Sequence, residues 1–231
     1  MVTAEDYLTG QVLLIDKPLH WTSFQVVNKL RWEIRRTFNI KKIKVGHAGT
    51  LDPLATGLLV ICTGKMTKNI DSFQAQIKEY TGTFVLGDTT PSYDLETEVD
   101  HTYPTDHVTE ESIYKATQQF IGDISQFPPV FSALKKDGKR LYEYARAGEA
   151  VDIPSRQVHI SEFEITRIEQ LEVDFRIVCS KGTYIRSLAN DFGKALHSGA
   201  HLSDLRRTKI GDFDVDDAVT VENFIKALPS E

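Results

Sequence analysis

Cysteine is scarce in this sequence: Cys62 and Cys179 are the only two in 231 residues. Each ends an apolar run, GLLVIC or FRIVC, the setting of a reduced core thiol rather than a disulfide framework. No CxxC pair offers the start of a zinc site. Long apolar runs are missing as well. The longest are a handful of residues, whereas a membrane helix needs roughly 20. The N-terminal MVTAEDYLTG is acidic and has no apolar h-region, so no signal peptide is visible. These absences predict a protein of a reducing, cytoplasmic compartment without membrane association. An excess of positive charge is also missing, since the formal net charge is −6. Phosphate-loop chemistry is excluded by spacing in GLLVICTGKMT. Six residues separate Gly57 from Gly64 where four are required, and Met66 stands where magnesium needs a hydroxyl. No GxSxG elbow, internal repeat or low-complexity linker is present.

What is there is unevenly spread. Residues 29–44, KLRWEIRRTFNIKKIK, carry seven basic residues against Glu33 alone. ALKKDGKRLYEYAR adds Lys135, Lys136, Lys139, Arg140 and Arg146, with Tyr142 and Tyr144 between them. Residues 88–111 carry eight acids and no Lys or Arg. Such a pattern is either an ordinary solvated surface or one basic face for a polyanion on an otherwise acidic protein.

Periodicity predicts the elements. GQVLLI (10–15) reads as a short buried strand, after which DKP turns the chain. Thr22 with Gln25 three residues on forms a capping box, followed by Val27, Leu30, Ile34 and Phe38 at helical spacing. Arg31, Arg35 and Arg36 fall largely on other faces of that helix. GLLVIC leans to β, and KEYTGTFVLG (78–87) alternates, with Tyr80, Gly82, Phe84 and Leu86 on one face. A helix is expected near 109–121 with Thr109 as its cap. Irregular chain with room for a short helix follows, and then a strand in LEVDFRIVCS (171–180). A helix through TYIRSLANDFGKAL, a strand near 206–213 and a short helix in TVENFIKAL complete the pattern. Strands and helices do not alternate as βαβ units, so the expected class is α+β, a mixed or mostly antiparallel central sheet flanked by helices and loops.

One carboxylate stands apart. In GHAGTLDPLATG (46–57), Asp52 sits among glycines, small residues and a proline. Asp followed by Pro is a good helix N-cap, with Pro53 holding Asp52 out of the helical region. Gly57 leaves such a helix only a single turn, however, so either a turn-capping acid or a reactive group fits.

GHAGTLDPLATGLLVICTGKMTK closely resembles the catalytic motif of the TruB family of tRNA pseudouridine-55 synthases. The resemblance continues in order along nearly the whole chain. LLIDKPLHWTSFQVVNKLR is similar to the family's lysine–proline motif and following helix, and KEYTGTFVLGDTT to its tyrosine motif. PPVFSALKKDGKRLYEYARAG is similar to its RNA-gripping insertion, VCSKGTYIRSLANDFG to its arginine motif and HLSDLRRTKIG to its closing leucine motif.

The resemblance implies a pseudouridine synthase fold and isomerisation of one uridine in the tRNA T-stem-loop, with the base flipped out and no metal or organic cofactor. It implies Asp52 as nucleophile, Arg186 as that aspartate's partner and Tyr80 as the ring that stacks on uracil. His47 would help displace and replace the flipped base, and Tyr184 and Leu205 would line the pocket. Lys17 and Pro18 would be mainly scaffolding. Arg31, Arg35, Lys41, Lys42, Lys135, Lys136, Lys139 and Arg140 are candidate RNA-phosphate contacts. It further implies a monomer with an RNA-gripping insertion at about 125–155. Bacterial members commonly add a small C-terminal RNA-binding domain; here residues 1–231 are expected to form a single catalytic domain without a separate one. One departure is Pro91, near the place of the family's usual aspartate, for which Asp88 or Asp94 are substitutes. Two competing readings are a non-catalytic RNA-binding protein on the same fold and an aspartyl-nucleophile phosphate-ester hydrolase, which would need magnesium ligands near Asp52.

Overall fold

A computed structural model describes residues 2–229. In chain order they form α1 (Ala4–Thr9), β1 (Val12–Lys17), α2 (Ser23–Thr37), β2 (Val45–His47), β3 (Ala55–Thr63), α3 (Ile70–Ala75), β4 (Lys78–Leu86), β5 (Asp88–Thr89), β6 (His101–Thr102) and α4 (Glu110–Thr117). There follow β7 (Gly122–Gln126), β8 (Lys135–Lys136), β9 (Lys139–Arg140), α5 (Leu141–Ala147), β10 (Arg156–Glu169), β11 (Glu172–Cys179), α6 (Ile185–Ala195), β12 (Ala200–Ile210), β13 (Phe213–Asp214), β14 (Val219–Thr220) and α7 (Val221–Ala227). Two compact units result, residues 2–80 with 205–229, and Thr81–Asp204. The fold class is α+β, as expected.

The first unit holds a mixed sheet. β1 runs antiparallel to β3, from Val12↔Cys62 to Lys17↔Gly57, and parallel to β14. On its other edge β3 runs parallel to β12, pairing Leu205 with Ala55 and Arg207 with Gly57. β3 is almost wholly apolar and almost wholly buried, as a strand covered on both faces must be. On one face α2 lays down Val26, Val27, Leu30 and Ile34, packed with Ile15, Leu59, Ile61 and Phe224. The other face carries Ala48, Leu58, Val60, Ile210 and Val215. The capping box at Thr22 and Gln25 is present.

The second unit is antiparallel, with β10 between β7 and β11. β4 alternates buried and half-buried residues along its length. Phe84, Phe163, Phe175 and Phe192 form an aromatic cluster, with Phe84 and Phe175 ring centroids 4.3 Å apart.

Several expected boundaries move. β1 runs on through Lys17, so Asp16 and Lys17 lie in the strand and the turn falls at Pro18–His20, where His20 has φ +67°. β12 begins at Ala200 rather than near 206. Residues 156–169, unassigned from sequence, form the 14-residue β10. Register shifts after Ile160 and Ile165 break its alternation, so no period of two runs through it.

Candidate active site

No helix follows Asp52. The carbonyl of Asp52 accepts from Ala55 N at 3.1 Å, closing a tight turn directly into β3. The helix-capping alternative is thereby corrected. The aspartate is instead on a short turn fixed from both sides. Before it, Leu51 is held by Ser23, the first residue of α2. Its N–H donates to Ser23 Oγ at 2.8 Å, and Ser23 Oγ donates to the Leu51 carbonyl at 3.1 Å. After it, the Pro53 carbonyl accepts from His20 N at 2.8 Å and from Lys17 Nζ at 3.5 Å.

Arg207 completes the frame. Its side chain is buried, donating from Nε to Leu58 O at 2.8 Å, from Nη2 to Gly49 O at 3.0 Å and from Nη1 to Thr50 O at 3.5 Å. Its backbone presses on Gly57, where an added Cβ would lie 2.3 Å from the Arg207 carbonyl. With φ +98°, only glycine fits there. The glycines and proline of the motif therefore serve close approach and a fixed turn, and the carboxylate is carried on backbone held from both sides.

Cations surround this turn. Lys17 is buried and donates to the carbonyls of Trp21 (2.6 Å) and Pro18 (2.9 Å). Burial pulls its ammonium down to about 8 against the attraction of Asp52, with Arg207 adding to the fall and Asp16 opposing it. At neutral pH it remains a cation in the field of Asp52. His47 ends β2 opposite Ile61. Burial first, and Arg207 second, lower its pKa, so the imidazole is neutral at pH 7. Its Nδ1 is buried without a hydrogen-bond partner among the described residues.

Two further candidates lie in this unit. Tyr80 is buried on β4, and Leu205 is buried on β12 beside Ala55. Tyr184 and Arg186 lie in the second unit, where α6 begins. Gln126 clamps the Tyr184 main chain, accepting from its N–H at 2.8 Å and donating to its carbonyl at 3.1 Å. Arg186 is not a surface arginine, being only 3% exposed. It donates to Phe131 O at 2.9 Å and to Ser92 O at 3.2 Å, and Nε lies 3.5 Å from Asp94 Oδ2. Of the two acids expected to compensate for Pro91, Asp94 is thus the one that meets this arginine. Asp88 lies half-buried on β5.

The basic candidates differ in availability. Lys41 and Lys42 are exposed, as is Lys135, and these have no carboxylate within ion-pair distance among the described residues. Arg31 donates to Asn28, and Arg35 Nε to Ile40 O at 3.3 Å. Lys136 donates to Asp152 O, and Arg140 to Ala133 O at 3.4 Å. Lys139 pairs with Glu149 at 3.1 Å and lies over the Tyr144 ring. Ser23, Gln126 and Arg207 were not anticipated. Ser23 follows the Thr22 cap and Arg207 sits in an alternating strand, so neither carries a signal that points at a loop far away in sequence. Among the described residues no group of three or more His, Cys, Asp or Glu is arranged to hold a metal ion, and no helix is long and apolar enough to cross a membrane.

Residues 35–185 match the model of the TruB family pseudouridylate synthase N-terminal domain. The chain belongs to the TruB family. The match continues over residues 186–230 with the tRNA pseudouridylate synthase B C-terminal domain. This TruB-family chain is 64% identical to the tRNA pseudouridine synthase B of Flavobacterium johnsoniae, covering 98% of this chain and 100% of that one. It is 57% identical to the tRNA pseudouridine synthase B of Phocaeicola vulgatus, over 98% and 96% of the two chains. Among solved structures it is similar to a chain of a Cbf5–Nop10–Gar1 complex, at 30% identity and a TM-score of 0.72. It is also similar to a chain of an H/ACA RNP bound to a substrate RNA containing 2′-deoxyuridine, at 30% identity and a TM-score of 0.68. These alignments cover 97% and 95% of this chain, which spans about half the length of the solved chains (56% and 53%).

Proposed function

We propose that this TruB-family chain isomerises uridine 55 in the T loop of tRNA to pseudouridine, with Asp52 as the nucleophile. The observation that carries the reading is the turn itself. A single carboxylate sits on a turn whose neighbouring main chain is held by Ser23, His20, Lys17 and Arg207, in a unit whose family motif surrounds it. The reaction breaks the bond from ribose C1′ to uracil N1, turns the base and forms a bond from C1′ to C5. N1 gains a proton and C5 loses one, so nothing is oxidised or reduced and no cofactor is called for. The target base lies in a folded loop and must be flipped out, at a cost of roughly a few kcal/mol. Tyr80 serves as the stacking ring. His47, Tyr184, Arg186 and Leu205 act as the other substrate-binding residues, and the segment at about 125–155 grips the RNA. Lys41, Lys42 and Lys135 are exposed with no ion-pair partner among the described residues, which makes them the most available phosphate contacts among the basic candidates. The protein works as a cytoplasmic monomer.

The test is incubation with unmodified tRNA and mapping of pseudouridine in the T loop. Parent protein is expected to convert one uridine there, and Asp52→Asn to bind the RNA and fold normally without turnover. Turnover of Asp52→Asn near the parent rate would remove Asp52 from the nucleophile role.

A further inference from the structure

β10 carries an arginine at its first residue, Arg156, and another at Arg167, in opposite electrostatic situations. Arg167 is enclosed by carboxylates: Asp174 at 2.6 Å, Glu172 at 3.2 Å and Glu169. Arg156 has no carboxylate within ion-pair distance among the described residues. Its guanidinium lies over the Tyr184 ring, 5.3 Å from the centroid. Sheet register brings the two together. Arg156 is paired with Gln126 across β10 and β7, and Gln126, 1% exposed, holds both backbone groups of Tyr184. Gly182, at φ +83°, passes beside it: an added Cβ there would lie 3.5 Å from Arg156 Nη1, at ordinary contact distance. The half-buried guanidinium is thus oriented by a ring, and its N–H fork is not engaged by protein acids. A planar fork stacked on an aromatic ring is pre-organised for a phosphate, which accepts two parallel hydrogen bonds from it.

We infer that Arg156, stacked on Tyr184, binds a phosphodiester of the substrate RNA. This rests on the reading of the chain as an RNA-modifying enzyme, and it assigns a contact to a residue outside the basic segments 29–44 and 135–146. Tyr184 then has a role of its own in RNA binding, because its ring steadies the cation that grips the backbone.

The test measures RNA affinity of the full chain against salt concentration, using unmodified tRNA. Each phosphate contact contributes about 0.7 to 0.9 to the slope of log K against log salt. Arg156→Gln is expected to lower the slope by that amount, about 0.7 to 0.9, and Arg156→Lys to retain it. Arg167→Gln, whose charge is already neutralised by acids, leaves the slope at the parent value. An unchanged slope for Arg156→Gln, or an equal fall for Arg167→Gln, overturns the assignment. Failure of the enzymatic reading is distinguishable: the parent would then bind tRNA without forming pseudouridine, whatever the slopes.

Discussion

Arg207 is a buried cation whose hydrogen-bonding groups are spent on main-chain carbonyls. Taking a guanidinium out of water is costly, and the cost is offset here by bonds to Leu58, Gly49 and Thr50, which bracket Asp52. Arg207→Met leaves those carbonyls without their donor. Urea denaturation is expected to show a loss on the order of 3 kcal/mol, since each buried unsatisfied group costs about 1–3 kcal/mol. Arg207→Lys is expected to recover less than half of it, because a compact ammonium cannot span three carbonyls as a planar fork does. A loss below about 0.5 kcal/mol, the range of an ordinary surface substitution, would mean that the turn keeps its shape without Arg207. At this scale the constrained turn at Asp52 was legible and Arg207 was not. An Asp-Pro step ringed by glycines marks constrained backbone wherever it occurs. An arginine in a strand looks the same whether it faces solvent or crosses the core, and only the parallel pairing of β12 with β3 decides which.

Among the elements, α2 connects helix stability to the turn. Thr22 and Gln25 cap it reciprocally, and the next residue after the cap, Ser23, holds Leu51. Fraying of the first helical turn therefore loosens the residue before Asp52. Thr22→Ala is expected to cost about 1 kcal/mol in thermal or urea unfolding. It is also expected to lower kcat several-fold, with KM little changed. Thr109→Ala, which removes the corresponding cap of α4, is the stability-matched control and should leave kcat in place. Equal kcat loss in both variants would show a general effect of stability rather than the Ser23 link. The cap, the helix and the alternating β4 were readable because each obeys one local period from end to end. β10 was not, because its two bulges shift the phase of Val158 and Ile160 against Phe163 and Ile165, and then against Ile168.

For the molecule as a whole, the difficulty is a net charge of −6 and a polyanionic substrate. Charges farther apart than a Debye length, about 8 Å at physiological ionic strength, are largely screened when exposed. Total charge therefore matters less to the encounter than which cations face the RNA without a carboxylate beside them. Lys41 and Lys42 are exposed and lack such a neighbour, whereas Lys139 is partnered by Glu149 and Arg146 by Glu96. Reversing the unpartnered pair, Lys41→Glu with Lys42→Glu, is expected to raise KM for tRNA on the order of tenfold at low salt, the lower end of electrostatic steering effects. The turnover number should stay at the parent value, because neither lysine adjoins the Asp52 turn in sequence or hydrogen bonding. Raising salt to about 1 M, where the Debye length falls to about 3 Å, should collapse the difference between variant and parent. If the KM gap survived that screening, the two lysines would be acting through the fold of the segment after α2 and not through their charge. The acidic surface would then need another set of cations to overcome its repulsion of the substrate.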